Sequence, residues 1–143
     1  MERQPNLRGN RLPPGVNKLG QLYFDAAGGN HNAVVFITAF HAYCHAIDDL
    51  VDGDVPFTPE AFLDVMMQAN SLYSTPFYIE NWFRLQPVIA QITSTYADSV
   101  AWEKSDEEWK RQTSDVLRLC GNDMIIQVAW IIGGYKHMRA ISL

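Results

Sequence analysis

A chain of 143 residues that is 48% hydrophobic and 19% charged has the size and composition of one globular domain, which excludes a disordered chain. Its formal net charge of −5 excludes a general nucleic-acid binder, which needs a basic face. Cys44 and Cys120 are its two cysteines and form no CxxC pair, so neither a disulfide scaffold nor a zinc ribbon is expected, and a reducing cytoplasmic compartment is. The start, MERQPNLRGNRLPPG, lacks the apolar stretch of a signal peptide, and no uninterrupted apolar run reaches the roughly 18 residues of a membrane span, so none is expected.

Charge is unevenly distributed. Residues 1–20 hold Arg3, Arg8, Arg11 and Lys18 against Glu2. Residues 21–83 hold no Lys or Arg and carry Asp25, Asp48, Asp49, Asp52, Asp54, Glu60, Asp64 and Glu80. Residues 84–143 balance. A segment of this kind attracts cations: a metal ion, a basic partner, or the chain's own basic start.

In chain order, residues 1–20 read as an irregular arm. Pro5, Gly9, Pro13, Pro14, Gly15 and Gly20 punctuate it, and it lacks apolar residues for a core of its own. Its charge predicts that it lies on a folded body, either this subunit or a neighbour, and a homo-oligomer is expected. Residues 21–143 read as a single-domain antiparallel helix bundle, all-α in class. A short helix over Gln21–Ala27 is stopped by Gly28 and Gly29, and a long one over about Asn32–Val51 by Gly53. Thr58-Pro59 opens a helix running to about Leu72, and Thr75-Pro76 opens another, with a kink or break expected at Pro87. Ser105 and Glu108 form a capping box, and the helix it opens is expected to pass Gly121 and stop at Gly133-Gly134. Sustained period-two alternation is absent, and the connections are short.

The long central helix carries the strongest functional signal. At about 100° per residue, Thr38, His41, His45, Asp48, Asp49 and Asp52 share one narrow arc, while the rest of the helix is mostly apolar. Such a helix belongs in the middle of a bundle, with its polar stripe facing a cleft or a strip of water. Three aspartates near a helix C-terminus repel one another and oppose the helix dipole, so a bound cation is the simplest compensation. On this reading Asp48→Asn or Asp49→Asn stabilises the metal-free protein. The simpler alternative is a solvated helix end. His41 and His45 lie one turn apart, as in helical HxxxH metal sites, although a histidine on an apolar helix is also a common hydrogen-bonded core residue. Carboxylates dominate the cluster, which favours Mg²⁺ or Mn²⁺. Asp123 and Gln127, one turn apart on an otherwise apolar face, are expected either to oppose the stripe or to mark a helix rim, and Arg118, Arg84 and Lys136 are the candidate phosphate-binding cations, with solvated surface as the alternative.

The run Tyr43-Cys44-His45-Ala46-Ile47-Asp48-Asp49-Leu50-Val51-Asp52 resembles the first aspartate-rich motif of squalene and phytoene synthases, in which Cys-Arg-x-x-Asp-Asp/Glu-x-x-Asp lies on a helix of an all-α fold. Cys44, Asp48, Asp49 and Asp52 match, and His45 stands where that family has Arg. The resemblance implies Mg²⁺ bridging a diphosphate to Asp48 and Asp52, where it would neutralise a leaving group. Asn122-Asp123 begins, without completing, the second acid pattern of class I terpenoid synthases. Compact all-α nucleotide pyrophosphohydrolases are closer in length, but their Glu-rich helical motif is absent.

These readings converge on a small helical protein with a divalent-metal Asp/His site, acting on a diphosphate or nucleotide, a small phosphorylated ligand in either case. The alternative is a non-catalytic binding or assembly protein whose acidic segment meets a basic partner.

Overall fold

A computed structural model describes residues 18–142. It contains six α-helices and one 3-10 turn: α1 (Lys18–Ala26), α2 (His31–Asp52), α3 (Pro59–Tyr73), α4 (Pro76–Glu103), α5 (Glu108–Leu117), the turn Arg118–Gly121, and α6 (Asn122–Ser142). No strand occurs among the described residues, and the fold is the all-α bundle that the sequence predicts. Helix α1 starts three residues early, so Lys18–Gly20 are its first turn rather than the end of the arm. The rest of that arm, residues 1–17, lies outside the described residues.

The helix starts follow local chemistry. Asn30 Oδ1 accepts the Ala33 N–H at 3.0 Å, and Thr58 Oγ1 accepts that of Ala61 at 3.2 Å with Pro59 in the first helical position. Gly53 ends α2 in the left-handed region. Thr75 opens α4 without a capping bond, because its hydroxyl donates back to the Leu72 carbonyl at 2.8 Å.

Three boundaries differ from the sequence reading. Helix α4 runs through Pro87 and kinks at Asn81 (φ −124°, ψ 16°). The Asn81 amide donates to the Phe77 carbonyl at 3.0 Å, a side chain competing with the backbone for its own acceptor. The Ser105–Glu108 capping box does not close, since Ser105 Oγ accepts the N–H of Glu107 instead. Finally, the helix expected to run on to Gly133 breaks at Arg118–Gly121, and α6 then passes the glycine pair to Ser142 across a kink at Gly134.

The core lies where the N-terminal half of α2 (Ala33, Phe36, Ile37, Phe40) meets Leu85 and Ile89 of α4 and Met124 and Val128 of α6. Helix α1 closes one side: His137 Nε2 donates to the Ala26 carbonyl at 2.9 Å, and the buried Asp25 accepts from Gln21. The C-terminal half of α2, expected in mid-bundle, is only half-buried and ends exposed at Asp52.

Two stretches, His31–Asp52 and Glu108–Ser142, are long and apolar enough to cross a membrane by length and composition alone, each with mean hydropathy 1.3. A buried core helix of a soluble protein passes the same test, but only 17% and 28% of the two apolar windows are buried in this bundle. The first supplies the bundle core and ends in three aspartates, and the second is interrupted by the 3-10 turn and the Gly134 kink.

Gly134 has φ 70° and ψ −165°, a combination essentially reserved for glycine. Gly134→Ala is expected to cost about 1–3 kcal/mol. Urea unfolding of the variant against the parent chain checks this.

Candidate functional site

The acidic end of α2 meets a guanidinium. Arg118 Nη1 donates to Asp48 Oδ1 at 3.1 Å and to both Asp52 oxygens at 3.0 Å, while Nη2 donates to Glu103 Oε2 of α4 at 2.6 Å. The guanidinium carbon lies 5.5 Å from the centre of the Tyr96 ring, and the Tyr96 hydroxyl donates to Asp48 Oδ1 at 2.7 Å. Three carboxylates from two helices therefore converge on one cation.

The 3-10 turn aims that cation. Cys120 is buried with its thiol 3.7 Å from the Ile92 carbonyl of α4, which pins the turn to that helix. Arg118, two residues earlier, reaches across to α2. Its hydrogen bond with Asp52 raises its already high pKa against the opposing effect of partial burial. Burial, then the Asp48 hydrogen bond and charge, push the Tyr96 phenol up, so it stays protonated as a donor. Burial likewise pushes the Cys44 thiol up to about 12, with Cys120 and Asp48 adding to the effect, so it is no thiolate ligand near neutral pH.

The other candidate residues are spread out. His41 is half-buried, stacked on Tyr23 with ring centres 5.0 Å apart, and its Nδ1 lies 3.2 Å from the Ile37 carbonyl. Burial lowers its pKa more than that hydrogen bond raises it. His45 is exposed, one turn further on. Among the described residues no side chain pairs with Asp49, whose backbone carbonyl accepts from Val55. Asp123 and Gln127 do not face the acid stripe. They line a shallow cleft with Val88, Gln91 and Ile92, and the Gln127 amide donates to the Arg84 carbonyl at 3.1 Å. The Arg84 side chain is exposed and lies over the Phe83 ring, away from the carboxylates. Of the residues singled out in the sequence, the structure thus joins Asp48, Asp52 and Arg118 and leaves His41, His45, Asp123, Gln127 and Arg84 apart. Among the described residues no group of three or more His, Cys, Asp or Glu is arranged to hold a metal ion.

Two participants escaped the sequence reading, Tyr96 and Glu103. They sit seven residues apart, about two turns, on one face of α4. That spacing was visible, but nothing in it says that the face turns toward α2.

No protein-family model, curated protein or solved structure matches the chain.

The arrangement reverses half of one expectation. Asp48→Asn removes the negative charge opposite Arg118 and leaves the Tyr96 hydroxyl and the guanidinium only a neutral, weaker acceptor, and is expected to destabilise by about 1 kcal/mol, because the pairs are partly exposed. Asp49→Asn only relieves repulsion and is expected to stabilise by a few tenths, about 0.3 kcal/mol on the helix-dipole scale. Chemical denaturation of both variants separates the two. For His41 the folded pKa lies below the unfolded value, so the unfolded chain binds more protons on acidification and stability falls with pH below about 6.5. His41→Phe, which keeps the ring on Tyr23, is expected to lose less stability than the parent between about pH 7 and 5. Urea midpoints across that range test it.

Proposed function

We propose that the protein acts on a diphosphate or nucleotide with the help of Mg²⁺ or Mn²⁺, the metal held by Asp48 and Asp52 and the phosphate by Arg118. The observation that supports this reading is that two carboxylates one turn apart and a guanidinium share one partly exposed point. That point borders an open cleft lined by Val51, Asp52, Val100, Glu103 and Lys104.

Two carboxylates one turn apart would serve as ligands once Arg118 gives them up. Mg²⁺ keeps several waters and is commonly bound by one or two carboxylates plus substrate phosphates, so a ready-made protein cage is not required. Bound there, the ion would supply charge neutralisation for a departing diphosphate. The remaining chemistry belongs to the chain. Ion pairs this exposed are worth about 0–1 kcal/mol each, so Arg118 can exchange its carboxylates for a phosphate at small cost. Its planar fork suits two phosphate oxygens at once. Glu103 and Tyr96 then hold the guanidinium and the Asp48 carboxylate in place. Lys104, on the same cleft, adds a second cation for the phosphate end. The two free thiols accord with a cytoplasmic, reducing setting.

The test is thermal unfolding with Mg²⁺, Mn²⁺ and inorganic pyrophosphate, separately and together. Metal plus pyrophosphate is expected to raise the midpoint by several degrees more than either alone. Asp52→Asn removes the metal dependence, and Arg118→Gln removes the response to pyrophosphate. If NaCl shifts the midpoint and metal with pyrophosphate does not, the cluster is a structural ion-pair clamp and the reading is wrong.

A further inference from the structure

Helix α3 packs on the bundle through a few apolar side chains, with Leu72 fully buried. Ala61, Val65, Ala69 and Leu72 share the face turned toward α2. Four other large residues of the helix point away from that face. Phe62, Leu63 and Met66 are about half exposed, Met67 is 62% exposed, and Phe57, just before the helix, is 74% exposed with its ring against Phe62. At about 100° per residue, Phe62, Leu63, Met66 and Met67 span an arc of roughly 140° opposite the packed face. Helix α3 is thus apolar on two sides, and one of them has no cover among the described residues. Glu60 and Asp64 flank this outer face on one edge, and Asp54 precedes it. From residue 21 to residue 83 there is no Lys or Arg to balance them.

We infer that the outer face of α3 docks a cationic amphipathic helix of a partner protein. Three features select that occupant. Paired residues four apart, Phe62 with Met66 and Leu63 with Met67, form the ridges into which another helix packs. The two methionines give a surface that adapts to the partner's side chains. The carboxylates on the edge require positive charge beside the apolar stripe.

The same features disfavour the other occupants. A second copy using this face brings more carboxylates and no cation. The exposed apolar area, on the order of 500 Å² for five half-exposed side chains, also falls short of the roughly 800 Å² per partner of a standard interface, but it suffices for one helix. The chain's own residues 1–17 are basic, yet Pro5, Pro13 and Pro14 make them poor helix formers. This inference is independent of the carboxylate site and does not use Arg118.

The test is anisotropy of a labelled Leu/Lys amphipathic peptide about four turns long, titrated with the full chain. Micromolar binding that weakens with salt is expected, with none to a Leu/Glu peptide of the same pattern. Leu63→Ser with Met67→Ser is expected to weaken binding at least tenfold. Glu60→Gln with Asp64→Asn weakens it several-fold and flattens the salt dependence. Val116→Ser with Leu119→Ser, exposed apolar residues elsewhere, leaves it unchanged. Circular dichroism confirms that each variant is folded. Equal binding by the Leu63/Met67 variant overturns the inference, as does equal binding of the Leu/Glu peptide. So does a dimer in light scattering that Met67→Ser dissolves, because a second copy then owns the face. Binding only after removal of residues 1–17 assigns the face to the chain's own start and also overturns it.

Discussion

A single guanidinium holds the acidic end of this bundle together. Arg118 sits where α2, α4 and the 3-10 turn meet, and its two terminal nitrogens are shared among Asp48, Asp52 and Glu103. Without it, two aspartates one turn apart would face Glu103 across the helix contact at the unfavourable end of the α2 dipole. The position of the turn follows from the same need. An uninterrupted helix from Glu108 onward would carry residue 118 along a straight axis. The break at Arg118–Gly121 lets Cys120 bury against α4 while Arg118 reaches α2.

The two halves of the molecule are built on different principles. Around the N-terminal half of α2, packing is dense: Phe36 meets Phe77 and Tyr78, and Tyr23 stacks on His41. Helix α1 is tied to α6 by the hydrogen bond from His137 to the last carbonyl of α1, which otherwise lacks a partner within its helix. Around the C-terminal half, the Arg118 contacts are polar and partly exposed. Such ion pairs hold geometry more than they add stability, because water and salt compete for every partner. A region held this way is suited to exchanging one charged partner for another, whereas the aromatic half is not.

Helix α3 shows a third arrangement. It is anchored against α2 by Leu72, and Phe62, Leu63, Met66 and Met67 remain outside. Burying the large side chains against α2 would hide more apolar surface but would push the helices apart. The observed orientation leaves an open apolar face on α3.

Much of the fold was legible in the sequence because it rests on short-range chemistry. Thr58-Pro59 and Gly53 mark their helix ends through atoms within a few residues, and the aspartate arc of α2 follows from helical spacing alone. The failures share one cause. Pro87 predicts a kink or break in α4, yet the kink sits at Asn81; Gly133-Gly134 predicts a stop, yet α6 bends and continues. A local breaker marks where a helix is weak, and packing further along the chain decides whether it yields there. The candidate site divides in the same way. Asp48 and Asp52 were identifiable because they share a turn, but the partners Tyr96 and Glu103 lie 48 and 51 residues beyond them and Arg118 a further helix away. Only the packing of α4 and the 3-10 turn against α2 brings that cation to the aspartates, and only the same packing turns Asp123 and Gln127 away. Spacing along one helix places side chains relative to each other, while the charge that answers them comes from whichever element the core draws alongside.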